Sequence, residues 1–204
     1  TITLTDHVAY KNLDTDKTYT LTGTLYVKEG DALTELMTET VDFTPAEKNG
    51  IQDVTFTFDA SALKGKSVVA FEELSVNGEF CAEHKDKDDE NQTVTFPDIQ
   101  TTARDNVTED HVSNAADSVT IIDTVTYTGL KAGETYEITG TLMDAETGEA
   151  ALDDDGNAIT ASKEFTAPTA DGNIDITFTF AGVSLAGKTL VAFEDISYEG
   201  RRYA

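Results

Sequence analysis

A single cysteine, Cys81, excludes an internal disulfide, and with it the thiolate zinc sites that need several such ligands. Tryptophan is absent, which removes the usual platform for stacking against a sugar. Basic residues are scarce: 14 Lys and Arg stand against 39 Asp and Glu, a net charge of -25 and an isoelectric point near 4.1. That imbalance argues against nucleic acid and anionic membrane surfaces as partners, because both carry the same sign. No apolar run approaches the roughly 20 residues of a membrane span, so no membrane insertion is expected in this segment. No signal-like stretch opens the chain either, and it reads as an interior piece or mature fragment of something longer. The acidity and the abundance of Thr, Asp and Gly fit an extracellular protein that resists unfolding by means other than disulfides.

What the chain does contain is an internal repeat. Thr1 to Leu25 aligns without gaps to Ser118 to Leu142, placing Asp6 on Asp123, and the block from Val54 matches the block from Ile176, placing Glu72 on Glu194. The second offset is longer by five residues, most simply gained in the acidic turn Asp153-Asp154-Asp155-Gly156-Asn157. Within each copy, runs of Thr, Val, Ile, Tyr and Phe alternate with period two between Gly, Asn and Asp turns, the pattern of an all-β sandwich. Strands are expected near 2-10, 18-27, 36-44, 52-58, 66-76, 79-84 and 92-96, then near 119-127, 135-143, 158-166, 173-180 and 188-198. Single helical turns are expected at 60-63 and 183-185. The domains are read as 1-98 and 99-204, with Pro97-Asp98 opening the junction.

Several polar residues fall on apolar faces. Asp6 shares its face with Ile2, Leu4, Val8 and Tyr10, and Asp123 shares its own with Val119, Ile121, Val125 and Tyr127. Glu72 follows Val68-Val69-Ala70-Phe71 and Glu194 follows Leu190-Val191-Ala192-Phe193, runs apolar on both faces and so covered on both sides. His84 alternates with Phe80 and Ala82, Gln92 with Val94 and Phe96, and Thr101 with Ile99 and Ala103, which turns Thr102 outward. Each alone reads as an ordinary hydrogen-bonded structural residue. Acids, imidazole, amide and hydroxyl gathered on the apolar faces of one fold point to a buried reaction centre.

The combined pattern resembles the VaFE-repeat domains of Gram-positive surface adhesins, also called ester-bond or T-Q domains. The resemblance rests on Val69-Ala70-Phe71-Glu72 and Val191-Ala192-Phe193-Glu194, on Asp6-x-Val8-x-Tyr10 and Asp123-x-Val125-x-Tyr127, and on the Thr-Gly-Thr-Leu blocks at 22-25 and 139-142. The run His84-x-Asp86-x-x-Asp89-x-x-Gln92-Thr93-Val94 and the block Thr101-Thr102-Ala103 complete it. It implies two tandem immunoglobulin-like β-sandwiches, each tied by a self-made ester between a first-strand threonine and a last-strand glutamine. By that resemblance Gln92 is the acyl donor, surrounded by Asp6, Glu72 and His84, and Thr101 is a nucleophile beside Asp123 and Glu194. In that chemistry the glutamate is expected to shuttle a proton, the aspartate to hold and polarise the amide, and the histidine to orient the acid or complete the hydrogen-bond network. The reaction turns over once on the protein itself, so no enzyme and no cofactor or metal is implied. The resemblance also implies a load-bearing stalk module on a cell-wall-anchored surface protein, neighbouring repeats as partners and a host ligand at the parent's tip.

In this frame the first copy has the glutamine without its threonine, and the second has the threonine without its glutamine. Three explanations compete: a fragment whose missing strands were cut away, strands supplied by a neighbouring chain, or Thr101 reaching the first site through a rearranged strand order; head-to-tail completion between copies is the one favoured. Three rivals stand beside this reading. One is a Lys-Asn isopeptide, with Lys11, Lys131 and Asn91 as candidates; another is a binding sandwich without a cross-link; the third is a glycosidase using Asp6 and Glu72. Calcium at Asp86-Asp88-Asp89-Glu90 or Asp153-Asp154-Asp155 is weighed against solvated turns, which the spacing favours.

Overall fold

Period-two alternation becomes strands almost wherever the sequence carries it. The computed structural model describes residues 1–204 and divides into two units, Thr1–Phe96 and Pro97–Ala204. The first holds β1 (Ile2–Tyr10), β2 (Tyr19–Glu29), β3 (Ala32–Phe43), β4 (Gly50–Phe58), β5 (Ser67–Val76), β6 (Glu79–His84) and β7 (Thr93–Thr95). The second holds β8 (Asp98–Asp105), β9 (Val119–Thr128), β10 (Thr135–Asp144), β11 (Thr160–Thr166), β12 (Gly172–Phe180), β13 (Leu190–Tyr198) and β14 (Arg201–Arg202). The division falls two residues before the expected boundary, because Asp98 already pairs with Thr128 as the first residue of β8.

In the first unit β1 pairs with β4, and a second sheet runs β3-β2-β5-β6, with β7 also on β5. In the second, β12-β9-β8 faces β11-β10-β13-β14. All pairings are antiparallel. Each unit buries its own core between its sheets: Leu21, Leu25, Val54, Phe56 and Ala70 in one, Ile138, Leu142, Val125, Phe178 and Ile196 in the other. These are tandem all-β, immunoglobulin-like sandwiches. A tyrosine in each fixes the preceding turn, Tyr19 accepting from the Asp14 N–H at 3.0 Å and Tyr136 from the Lys131 N–H at 2.8 Å.

The Thr-Gly-Thr-Leu blocks have a packing reason. A Cβ on Gly23 would lie 2.7 Å from the Phe56 ring and 2.9 Å from Val54, and one on Gly140 would lie 2.6 Å from Phe178. The glycines let the two sheets approach, and they pair directly with Glu72 and Glu194.

Some expectations change. Val183–Leu185 is a short 3-10 helix, but residues 60-63 form a turn closed by the Leu63 N–H on the Ala60 carbonyl. Gln92 lies not in a strand but at the end of the 3-10 turn Glu90–Gln92. The Phe80-Ala82-His84 alternation is broken by a bulge: Leu74 pairs with Ala82 and Ser75 with Phe80, leaving Cys81 as the extra residue. Ala82 and His84 therefore keep the face of Leu74 and Glu72, while Phe80 turns outward and is 61% exposed.

Candidate functional site: a carboxyl pair at one end of each sandwich

Asp6 on β1 and Glu72 on β5 come from opposite sheets and meet across the core within hydrogen-bonding reach. Asp123 on β9 and Glu194 on β13 do the same in the second unit. Glu72 and Asp123 are buried, Asp6 and Glu194 half-buried. The buried oxygens of these four residues include Asp6 Oδ2, both oxygens of Glu72, both of Asp123 and Glu194 Oε1, none with a hydrogen-bond donor from the rest of the protein. Two ionised carboxylates cannot share such a space, so one proton must lie between each pair.

Burial pushes the Glu72 carboxyl up to about 9, helped by the hydrogen bond and charge of Asp6 and by the charge of Asp89. Burial likewise raises Glu194 to about 8, with Asp123 adding to it and the Thr101 hydroxyl, which favours the ionised form, opposing it. Each pair thus holds a proton at neutral pH and retains an oxygen able to accept another.

His84 stands at the rim, its side chain nearly half exposed, with Nδ1 3.4 Å from Glu72 Oε2 and Nε2 3.3 Å from Asp89 Oδ2. Asp89 had no role assigned from the sequence, where it read as one more charge in a solvated turn. Besides facing His84, it caps the 3-10 turn, accepting from the Asn91 N–H at 2.8 Å, and its carbonyl accepts from the Gln92 N–H at 3.2 Å. The available signal was an aspartate three residues ahead of the glutamine, a helix-cap spacing.

Thr101 pairs with Val125, so its side chain takes the core-facing side as expected. It is nevertheless exposed, because β8 is paired only on its β9 edge and nothing covers the other. Thr102 pairs with Thr124 on the outer face. Val94 shows the same effect in the first unit: it pairs with the buried Val68, yet is 39% exposed. The run before Glu194 is not covered as expected. Val69 is fully buried where β7 lies alongside, whereas its counterpart Val191 is 43% exposed.

Two grooves mark these open edges. In the first unit a cavity of about 200 Å³ lies between Val8, Tyr10, Leu74, Ala82, Glu72 and His84, along the unpaired edge of β1. In the second a cavity of about 400 Å³ lies between β8 at Ala103 to Asp105 and β13 at Leu190 and Ala192.

The rivals find less support in this geometry. Asn91 donates its amide to Asp89 at 3.1 Å, and Lys131 is bound to Glu134 at 2.9 Å, so neither faces a reaction partner. Asp154 caps the Val183–Leu185 helix through the Val183 and Ser184 N–H groups, and Asp88 binds Lys28 and Lys87. No cluster of three or more His, Cys, Asp or Glu side chains is arranged to hold a metal ion.

No curated protein matches the chain. The family of T-Q ester bond containing domains matches it twice, over residues 1–96 and 97–204, the same two units that the contacts define. With a carboxyl pair in each unit, His84 against the first and Thr101 against the second, the chain belongs to the T-Q ester bond containing domain family.

Proposed function

We propose that this chain is a stalk segment of a cell-surface adhesin whose sandwiches are tied by threonine-glutamine esters. Domains of this family are typical of extracellular surface proteins, and no helix here is long and apolar enough to cross a membrane. The observation that supports the chemistry is the carboxyl pair holding one proton in each unit, with His84 against Glu72 in the first and the Thr101 hydroxyl against Glu194 in the second.

The threonine Oγ attacks the glutamine Cδ, its proton passing to the free oxygen of the pair. The C–N bond breaks as the pair gives its own proton to the departing nitrogen, so one ester and one ammonia form and the pair ends as it began. Asp6 or Asp123 polarises the amide, and His84, braced by Asp89, orients Glu72. Folding supplies the proximity that makes an alcohol and an amide react without a cofactor. This is one turnover on self rather than enzymatic catalysis. If the disulfide estimate transfers, an ester closing a loop of about 100 residues restrains the unfolded chain by about 4 to 5 kcal/mol. Such a tie does for this chain what its missing disulfides do elsewhere.

The threonine for Gln92 comes on a strand laid along the free edge of β1, as β8 lies along β9. A second copy joined head to tail can supply that strand to the unpaired edge. A synthetic peptide of residues 97–105 added to the chain should give a covalent adduct lighter than the sum of the two by one ammonia. Intact mass measures it; hydroxylamine should open it, and Gln92→Ala should abolish it. A properly folded chain that never gains this mass leaves only a plain β-sandwich.

A further inference from the structure

The last strand of the first unit is interrupted. β6 pairs with β5 as far as His84 opposite Glu72, and β7 resumes on the same edge with Thr93 opposite Val69. Between them the chain leaves the sheet opposite Ala70 and Phe71 and returns at Gln92. His84 and Gln92 therefore flank the neck of one excursion, whose own residues are mostly acidic: Asp86, Asp88, Asp89 and Glu90.

What holds this excursion down is Lys28, near the end of β2. Its side chain is only 25% exposed, and its Nζ donates to the Lys87 carbonyl at 2.8 Å and to Asp88 Oδ1 at 2.9 Å. Lys87 in turn reaches Asp31, in the turn between β2 and β3, at 2.9 Å. The next residue after Asp88 is Asp89, which faces His84 through its side chain and binds the Gln92 N–H through its carbonyl. The repeat offset places Ala145 at the position of Lys28, so the second unit has no lysine there.

We propose that Lys28 is a positioning residue for ester formation at Gln92. By tying the Lys87-Asp88 peptide to the sheet, it fixes Asp89, and Asp89 sets both the imidazole of His84 and the turn that presents the amide. A half-buried cation bonded to a backbone carbonyl and a carboxylate is a stronger tether than an exposed ion pair. This inference rests on the ester reading above and concerns a residue that never touches the reacting atoms.

The test uses the full chain, the 97–105 peptide, and the variants Lys28→Met and Lys28→Arg. At saturating peptide, the first-order rate of adduct formation should fall about 10- to 100-fold in Lys28→Met, the range expected for a small misplacement of reacting groups. Half-saturation by the peptide should be unchanged, since the peptide docks on β1, and Lys28→Arg should recover most of the rate. Amide exchange at Gln92 should quicken about tenfold in Lys28→Met while β5 amides keep their protection. Equal rates in wild type and Lys28→Met, or a loss confined to peptide affinity, overturn the proposal. Unchanged exchange at Gln92 overturns the clamp whether or not any ester forms. A wild-type chain that yields no adduct overturns the ester reading itself.

Discussion

Glu72 shows how far one residue departs from its sequence meaning. The apolar run before it places it at the margin of the core or in it, but burial in the folded sandwich and Asp6 arriving from the opposite sheet together make it keep a proton. The folded state then binds a proton that the unfolded chain releases above about pH 4.5. Stability must fall as the pH rises from there to about 9 and level off beyond. The slope is at most about 1.4 kcal/mol per pH unit for this group. Chemical denaturation across that range should show a decline in the wild-type chain and a flatter curve in Glu72→Gln. Equal slopes would mean that Glu72 is ionised in the fold. The same reasoning gives a pH limit for cross-linking: adduct formation at Gln92 should fade as the pair loses its proton above about 9.

At the scale of elements, the strands were legible because period two is a local property, and β1 runs as alternation places it. The bulge at Cys81 and the excursion before Gln92 were not, since each is a register decision made between strands. That is why Phe80 was expected inside and is outside, and why Asp89 passed for a solvent charge. Gly23 belongs to this scale as well. Gly23→Ala forces a methyl against Phe56 and Val54 beside the strand position of Glu72, a cost of about 1 to 3 kcal/mol. Thermal unfolding should reveal it, and peptide adduct formation should slow as the sheets part. A variant as stable as wild type would show that the sheets can separate freely at this point.

At the scale of the molecule, two sandwiches of one family each leave a strand edge unpaired, that of β1 in the first and of β8 in the second. If Thr101 of one copy esterifies Gln92 of the next, concentrated protein should give a ladder on denaturing electrophoresis that Thr101→Ala or Gln92→Ala removes. Protein that stays monomeric at every concentration would show that no second copy supplies the strand. The sequence by itself determined the repeat, the all-β class and the inward Asp6, Asp123, Glu72 and Glu194, because side-chain alternation, apolar runs and internal alignment need no partner strand. Only the tertiary structure decided which acids face each other, which of them holds a proton, and that Asp89 and Lys28 stand behind Gln92. Those outcomes depend on distances between strands far apart in the chain, which no local pattern encodes.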